Sequence, residues 1–447
     1  MTFPFRVVGT PLFKDDLPDA VDLIVIGGGV IGVSTALFAA RSGLSVLVLE
    51  KGRVGAEQSG RNWGWIRVQG RDRAEIPIAL EAQDLWQELN TKAQGRLSLR
   101  TIGVTYFARD MKQMASYATW IDRAKAFGVS SRLMTREKLM ELLGHPIGDW
   151  VGGMHTPTDM KAEPWVAVPE LARMAQEEGA LIAEHCAVRA LDLEGGRITG
   201  VVTEKGLVKA ARVVLAGGSW SSLFLRKHGV DIPQLSVRST VMATQPLPQV
   251  LATAGVDNRL AMRPREDGGY TLAPAAYGEL FTGPDALRHI RRYLPLALTG
   301  DFDIILRGPA PRGYPDALST ARKWTADDHS PFEKMRILDP QPSLAKVSEI
   351  KQRFAQTYPQ VGEVKTLDAW AGMIDVLPDV VPVVDHVEAL PGLIVATGMC
   401  GHGFGIGPAF GRILSDMAQD RAPDHDLSRF TMARFSDGSK LRPGPNL

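Results

Sequence analysis

Three glycines, Gly27, Gly29 and Gly32, stand in the spacing G-x-G-x-x-G, and a carboxylate, Glu50, follows eighteen positions after the last of them. Each residue answers a separate physical requirement of a bound dinucleotide. Gly27 permits a tight turn, Gly29 lets backbone approach a pyrophosphate, and Gly32 lets a helix pack closely on a strand. Amides at the start of that helix, Val30 and Ile31 among them, would offer free N–H groups to phosphate, and Glu50 would accept bonds from adenosine ribose hydroxyls. The motif alone does not separate one dinucleotide from another.

Two more segments carry chemistry-bearing residues. In Lys51 to Gly64, KGRVGAEQSGRNWG, the residues Ser59, Gly60, Arg61 and Asn62 supply hydroxyl, bare backbone, cation and amide to a phosphate or a ring edge. Between Gly398 and Gly411 there are six glycines in fourteen residues, MCGHGFGIGPAFG following the first. Exposed backbone amides at that density suit the electron-rich pyrimidine edge of a reduced flavin.

These residues need particular elements to hold them. Val21 to Ile26 is a short β-branched run expected as a buried parallel strand, Ser34 to Arg41 has helical spacing closed by Gly43, and Leu44 to Leu49 is a second buried strand. Val188 onward alternates around Gly195-Gly196 as a hairpin, Arg212 to Ala216 is a further strand, and Leu393 to Thr397 another, with a helix expected from Pro408. The fold class expected is α/β: a discontinuous Rossmann-like domain over 18–100, 155–235 and 366–425, with a mixed β-sheet and helix substrate domain over 101–154 and 236–365. Residues 1–17 read as an N-terminal extension and 426–447 as a C-terminal tail.

Together these segments resemble the FAD-dependent amine and amino-acid oxidoreductases that include D-amino-acid oxidase, glycine oxidase and monomeric sarcosine oxidase. The resemblance spans almost the whole chain and implies a glutathione-reductase-type FAD domain. It implies that Lys51, Ser59 to Gly64 (with Trp63) and Gly372 line the cofactor, that backbone near Val188 meets the adenine, and that Ala216, Gly217 and Trp220 pack on it. Gly401, His402, Gly403, Phe404 and Gly405 match the family's G-x-x-G-H-G-F signature. The implied reaction is oxidation of a C–N bond by hydride transfer to the flavin, giving an imine that water hydrolyses.

The chain departs from the family in three places. The W-x-G-x-R-P motif reads Trp370-Ala371-Gly372-Met373-Ile374-Asp375, so Ile374 replaces the carboxylate-gripping arginine; the lysine expected after G-H-G-F is Gly405; the oxygen-activating lysine aligns with Thr271. These changes favour an amine over a simple amino acid, or a carboxylate held by other cations, with Arg263, Arg265, Arg67 and Arg71 as candidates. Trp63 and Trp65 would wall the substrate cavity, form an aromatic face for a cationic amine or pack against the flavin domain, Asp375 would take a substrate ammonium, and His402 would position backbone or flavin, with a catalytic base as the alternative. Thr271 leaves O₂, a quinone or a partner protein as electron acceptor. Cys400 is not where covalently flavinylated members carry their cysteine, so FAD is expected to be non-covalent.

Composition narrows the classes. With 51 basic and 50 acidic side chains and no long apolar run, neither nucleic acid nor a membrane span is expected, and the partner is a small molecule. Two cysteines, Cys186 and Cys400, give no disulfide framework and no metal spacing, which fits a cytoplasmic protein. Two rivals remain: a flavin-carrying subunit of an opine-oxidase-like hetero-oligomer, and a flavin monooxygenase, which would need a second dinucleotide motif not found here. The oligomeric state is not specified.

Overall fold

The computed structural model describes residue 3 and residues 11–300 and 303–444. Most of the extension expected over 1–17 therefore lies outside the described residues. Its last part, 11–17, docks on the first sheet: Lys14 bridges Ala183, and the Asp15 amide donates to the Ile182 carbonyl at 3.2 Å.

The smaller of the two large sheets has six strands in the order Val383–His386, Leu393–Thr397, Arg212–Leu215, Leu23–Ile26, Val46–Leu49, Leu181–Ala183. All adjacent pairs are parallel except the first. The inner strands are apolar on both faces because both are covered, one by the helices Val30–Arg41, Pro164–Glu177 and Gly403–Ala418 and the other chiefly by a three-stranded sheet over 188–209, which is why they read as continuous runs. Val30–Arg41 is the first crossover helix, beginning four residues before the alanine-rich spacing at Ser34. Gly195 and Gly196, at φ +57° and +78°, close the expected hairpin in a separate three-stranded sheet.

The larger sheet has ten strands and mixed pairing. Its centre is Leu235–Thr244, bordered by Tyr270–Pro274 and Tyr277–Thr282. Thr366–Val376, read from sequence with the dinucleotide-domain pieces, instead hydrogen-bonds along Leu235–Thr244 in this sheet. Its middle, Trp370 to Met373, is buried without alternation, so which sheet it joins is left to the tertiary contacts. Its end still reaches the first sheet, since the Asp375 carbonyl accepts from Cys400 N at 3.0 Å.

The C-terminal helix is Gly403–Ala418, longer than expected. Pro408 lies inside it and not at its start; a proline there forfeits one intrahelical bond but the surrounding packing holds the helix. Gly407 and Gly411 let this helix cross Val30–Arg41 closely: a Cβ would lie 2.6 Å from Val30 Cγ2 at Gly407 and 2.4 Å from Ser34 Cβ at Gly411. Among the described residues no helix is long and apolar enough to cross a membrane.

Candidate active site

Four parallel strands end at the same edge of the six-stranded sheet, so the loops at Gly27, Glu50, Ala216 and Gly398 converge there. Such an edge is where open α/β sheets take ligands. Gly27 and Gly32 are required by backbone contact, and Gly29 is closely packed. A Cβ on Gly27, at φ +111°, would lie 2.4 Å from the Ala216 carbonyl oxygen; on Gly32 it would lie 1.9 Å from that of Gly27; on Gly29 it would meet Ser59 Oγ at 3.0 Å.

The cradle fits a dinucleotide. The helix after Gly29 has no acidic residue in its first turn and no cap from its own N-cap residue, so the amides that follow Val30 suit an anion. Ser59 Oγ accepts from Val30 N at 2.9 Å. Glu50 accepts from Gly28 N at 2.8 Å and Gly52 N at 2.6 Å, and burial pushes its carboxyl up to about 7. Ser219 and Ser221 hydroxyls are buried at this edge with no hydrogen-bond partner among the described residues. Two residues before Val188, Cys186 N donates to the Glu50 carbonyl at 2.9 Å, which ties the start of that strand to the cradle.

Several expected cofactor ligands carry structural duties. Lys51 Nζ is 2.5 Å from Glu57 and 4.5 Å from the centre of the Trp220 ring, while Trp220 Nε1 donates to Glu57 at 3.1 Å. Glu57, overlooked in the sequence, thus ties the two loops. Arg61 is buried, donating to the Ala56 and Ala371 carbonyls at 2.7 and 3.0 Å and pairing with Asp339. Trp370 Nε1 donates to the Arg61 carbonyl at 2.9 Å, and Gly372 packs on Arg61, where a Cβ would lie 3.6 Å from its Cβ. Asn62 Oδ1 accepts from Gly64 N at 2.7 Å, holding the loop at a positive φ where Gly64 lies against the Ala162 carbonyl. Gly60 is buried in the short helix Gln58–Arg61.

Expectations for the substrate groups need correction. Arg263 is not a free cation: it is buried and held by Glu163 through two bonds of 2.8 and 2.9 Å. Arg265 pairs with Asp267 at 2.6 Å. Asp375 does not face a substrate ammonium; its Oδ2 accepts from Gly398 N at 2.8 Å and anchors the glycine-rich turn, with Gly401 at φ +81° beside it. Gly405 is set by packing, since a Cβ would lie 3.2 Å from the Trp65 carbonyl, so a lysine cannot enter there without moving that strand. Trp63 and Trp65 meet edge to face at 5.2 Å and line a small recess with Arg263 and Thr271. Phe404 packs on Trp86 at 5.2 Å, and Gly403 opens the C-terminal helix.

What remains open is a buried polar cluster beside His402. His402 Nδ1 lies 3.2 Å from Glu75 Oε1. Burial and the neighbouring Arg71 lower the imidazole to about 4, so it is neutral and its Nδ1–H donates. Burial acts to raise Glu75, but the hydrogen bond from His402 and the charge of Arg71 outweigh it and hold the carboxylate ionised. Arg71 is lowered to about 9, chiefly by burial and then by Arg67; Asp159 is raised to about 7 by burial. Gln69 Nε2, Arg71 Nη1, Glu75 Oε2 and Asp159 Oδ2 are buried with no hydrogen-bond partner among the described residues. Arg71 was a sequence candidate; Gln69, Glu75 and Asp159 were missed, although Gln69 and Glu75 flank it in QGRDRAE.

A Rossmann-type cradle joined to a second, ten-stranded mixed sheet defines a dinucleotide-dependent oxidoreductase. The chain belongs to the FAD dependent oxidoreductase family, whose model matches residues 22–417. It is similar to N-methyl-L-tryptophan oxidase of Citrobacter koseri, 25% identical over 431 residues that cover 93% of this chain and 99% of the relative. Among solved structures it resembles the L-amino acid deaminase of Proteus myxofaciens, with 28% identity, a TM-score of 0.91 and coverage of 96% of this chain and 97% of the other. Glycine oxidase of Geobacillus kaustophilus shares the fold at 18% identity, with a TM-score of 0.74 over 93% of this chain and 99% of the other. The chain is thus an FAD-dependent enzyme that oxidises the C–N bond of an amine or amino acid, as its sequence implied.

Proposed function

We propose that the chain oxidises the C–N bond of an α-amino acid whose carboxylate is bound at Arg71 and Gln69, with FAD held non-covalently. The observation that carries this reading is the buried cluster beside His402, where two donors, Gln69 Nε2 and Arg71 Nη1, and two acceptors, Glu75 Oε2 and Asp159 Oδ2, lack partners among the described residues. Donors and acceptors together match a zwitterion better than an amine alone. The names of the similar proteins, N-methyl-L-tryptophan oxidase and L-amino acid deaminase, point the same way.

Bound FAD supplies the two-electron acceptor for the hydride on the carbon next to nitrogen. The chain's own residues bind and prepare the substrate. Arg71 and Gln69 hold its carboxylate, and Glu75 receives its ammonium. Asp159, raised to about 7, takes the ammonium proton, because only the neutral amine assists loss of the hydride. His402 stays neutral and holds Glu75. The Cys400 thiol donates to the Gly398 carbonyl at 3.0 Å and is turned into its own loop, which supports non-covalent binding.

We further propose a dehydrogenase that passes electrons to a quinone or a partner protein. Thr271 is neutral, and the nearby cations Arg263 and Lys161 are matched by Glu163 and Glu266, so the recess adds no net cation to favour reduction of O₂. The test is anaerobic mixing of the yellow holoenzyme with amino acids and their decarboxylated amines. Bleaching by amino acids without NAD(P)H is expected; equal bleaching by the matching amines would overturn the carboxylate site. Rapid peroxide formation on return to air would overturn the dehydrogenase reading.

A further inference from the structure

A second cleft of about 450 Å³ lies away from the cofactor edge, lined by Arg226, Lys227, Arg288, Arg322, Lys323 and Trp324. Its two walls come from different parts of the fold. Arg226 and Lys227 form the last turn of Ser221–Lys227, the helix that continues from the Gly218–Trp220 turn at the cofactor edge. Arg288 lies on Pro284–His289, the helix that follows strand Tyr277–Thr282 of the larger sheet.

The charges here do not balance. Five cations line the cleft, and three carboxylates, Asp231, Asp285 and Asp316, pair with them. Each carboxylate is already shared. Asp285 lies between Arg226 and Arg322, Asp316 also accepts from Asp285 N and Ala286 N, and Asp231 serves Arg226, Arg288 and His289. Lys227 Nζ has the Trp324 carbonyl at 2.6 Å, and Lys323 is exposed. Arg226 Nε and Arg322 Nε are buried with no hydrogen-bond partner among the described residues. Charged donors left without acceptors are costly, and a concave setting strengthens their field. The volume falls within the range of small-ligand sites.

We propose that this cleft binds a small multivalent oxyanion, an organic phosphate or a polycarboxylate, that clamps the helix Ser221–Lys227 to the helix Pro284–His289. Such a ligand would supply acceptors to the excess cations of the cleft and fasten the cofactor-side helix to the larger sheet.

The experiment is calorimetric titration of the holoenzyme with pyrophosphate and, separately, with citrate, at fixed ionic strength. One saturable site per chain is expected, with a rise in Tm on saturation. The double variant Arg288→Glu with Lys323→Glu removes exposed cations outside the catalytic machinery. It is expected to bind at least about tenfold more weakly, with flavin content and turnover unchanged. Lys323→Gln, at an exposed side chain, supplies the same comparison with a smaller loss if the double variant fails to fold. Saturation by pyrophosphate alone assigns the cleft to a phosphate-bearing ligand, and saturation by citrate alone to a polycarboxylate. No saturable binding of either, or binding undiminished in the variants, overturns the proposal.

Discussion

Replacing Arg71 by Met separates binding from stability, because the two effects have opposite signs. The guanidinium is 2% exposed, lacks a partner at Nη1 among the described residues, and is lowered from 12.5 to about 9. That depression corresponds to ~5 kcal/mol against the charged form, an order-of-magnitude figure, at about 1.4 kcal/mol for each tenfold change. Met keeps the aliphatic volume and removes this burden, so the substrate-free variant is expected to have a Tm no lower than the parent. A charge-assisted bond from Arg71 to a substrate carboxylate is worth about 1.5–3 kcal/mol, which predicts a ~10–150-fold loss in kcat/KM for amino acids. Matching amines lacking the carboxylate should lose little. The assay pairs thermal unfolding with anaerobic flavin reduction at varied substrate concentration. A large fall in Tm, or an equal loss for amine and amino acid, would show that Arg71 is structural and refute the assignment.

Glu50 predicts a pH-dependent cofactor affinity. Its carboxyl is raised to about 7 by burial in the free chain, and ribose hydroxyls favour the ionised form, so binding releases a proton. FAD affinity should rise with pH and level off above about 7, falling by up to about tenfold per unit below it; Glu50→Gln should flatten this dependence in fluorescence titrations. The same shift, taken alone, favours folding of the cofactor-free chain fully below the unfolded carboxyl value of 4.5, and that contribution is lost as pH rises toward 7. Gly405→Lys should not restore a carboxylate clamp: with its Cβ position 3.3 Å from Ile66 Cα, it is expected to cost about 1–3 kcal/mol and to lower flavin content on purification. His402, held at about 4, should show no titration between pH 5 and 9 by NMR of the imidazole. Glu75→Gln is expected to alter that resonance while leaving flavin bound.

The nucleotide cradle was legible because its requirements are local. Gly27, Gly29, Gly32 and Glu50 act within one strand, turn, helix and strand, where the need for φ +111° at Gly27 or for close packing at Gly32 is written in residue type. The glycine-rich stretch after Gly398 was legible only in part. Gly401 serves the turn, whereas Gly407 and Gly411 serve helix crossing, and sequence does not distinguish glycines that free a backbone from glycines that make room.

The sequence by itself determined the α/β class, the dinucleotide edge and the family. The tertiary structure decided which ionisable groups are available for chemistry. Arg263 met Glu163 one hundred residues away, Lys51 met carbonyls at Met335 and Arg336, and Asp375 met the amide of Gly398. Arg71 met no full partner and remains available. The reason is physical: a backbone turn is specified by neighbours along the chain, but whether a buried charge is spent or free depends on partners that only folding brings near.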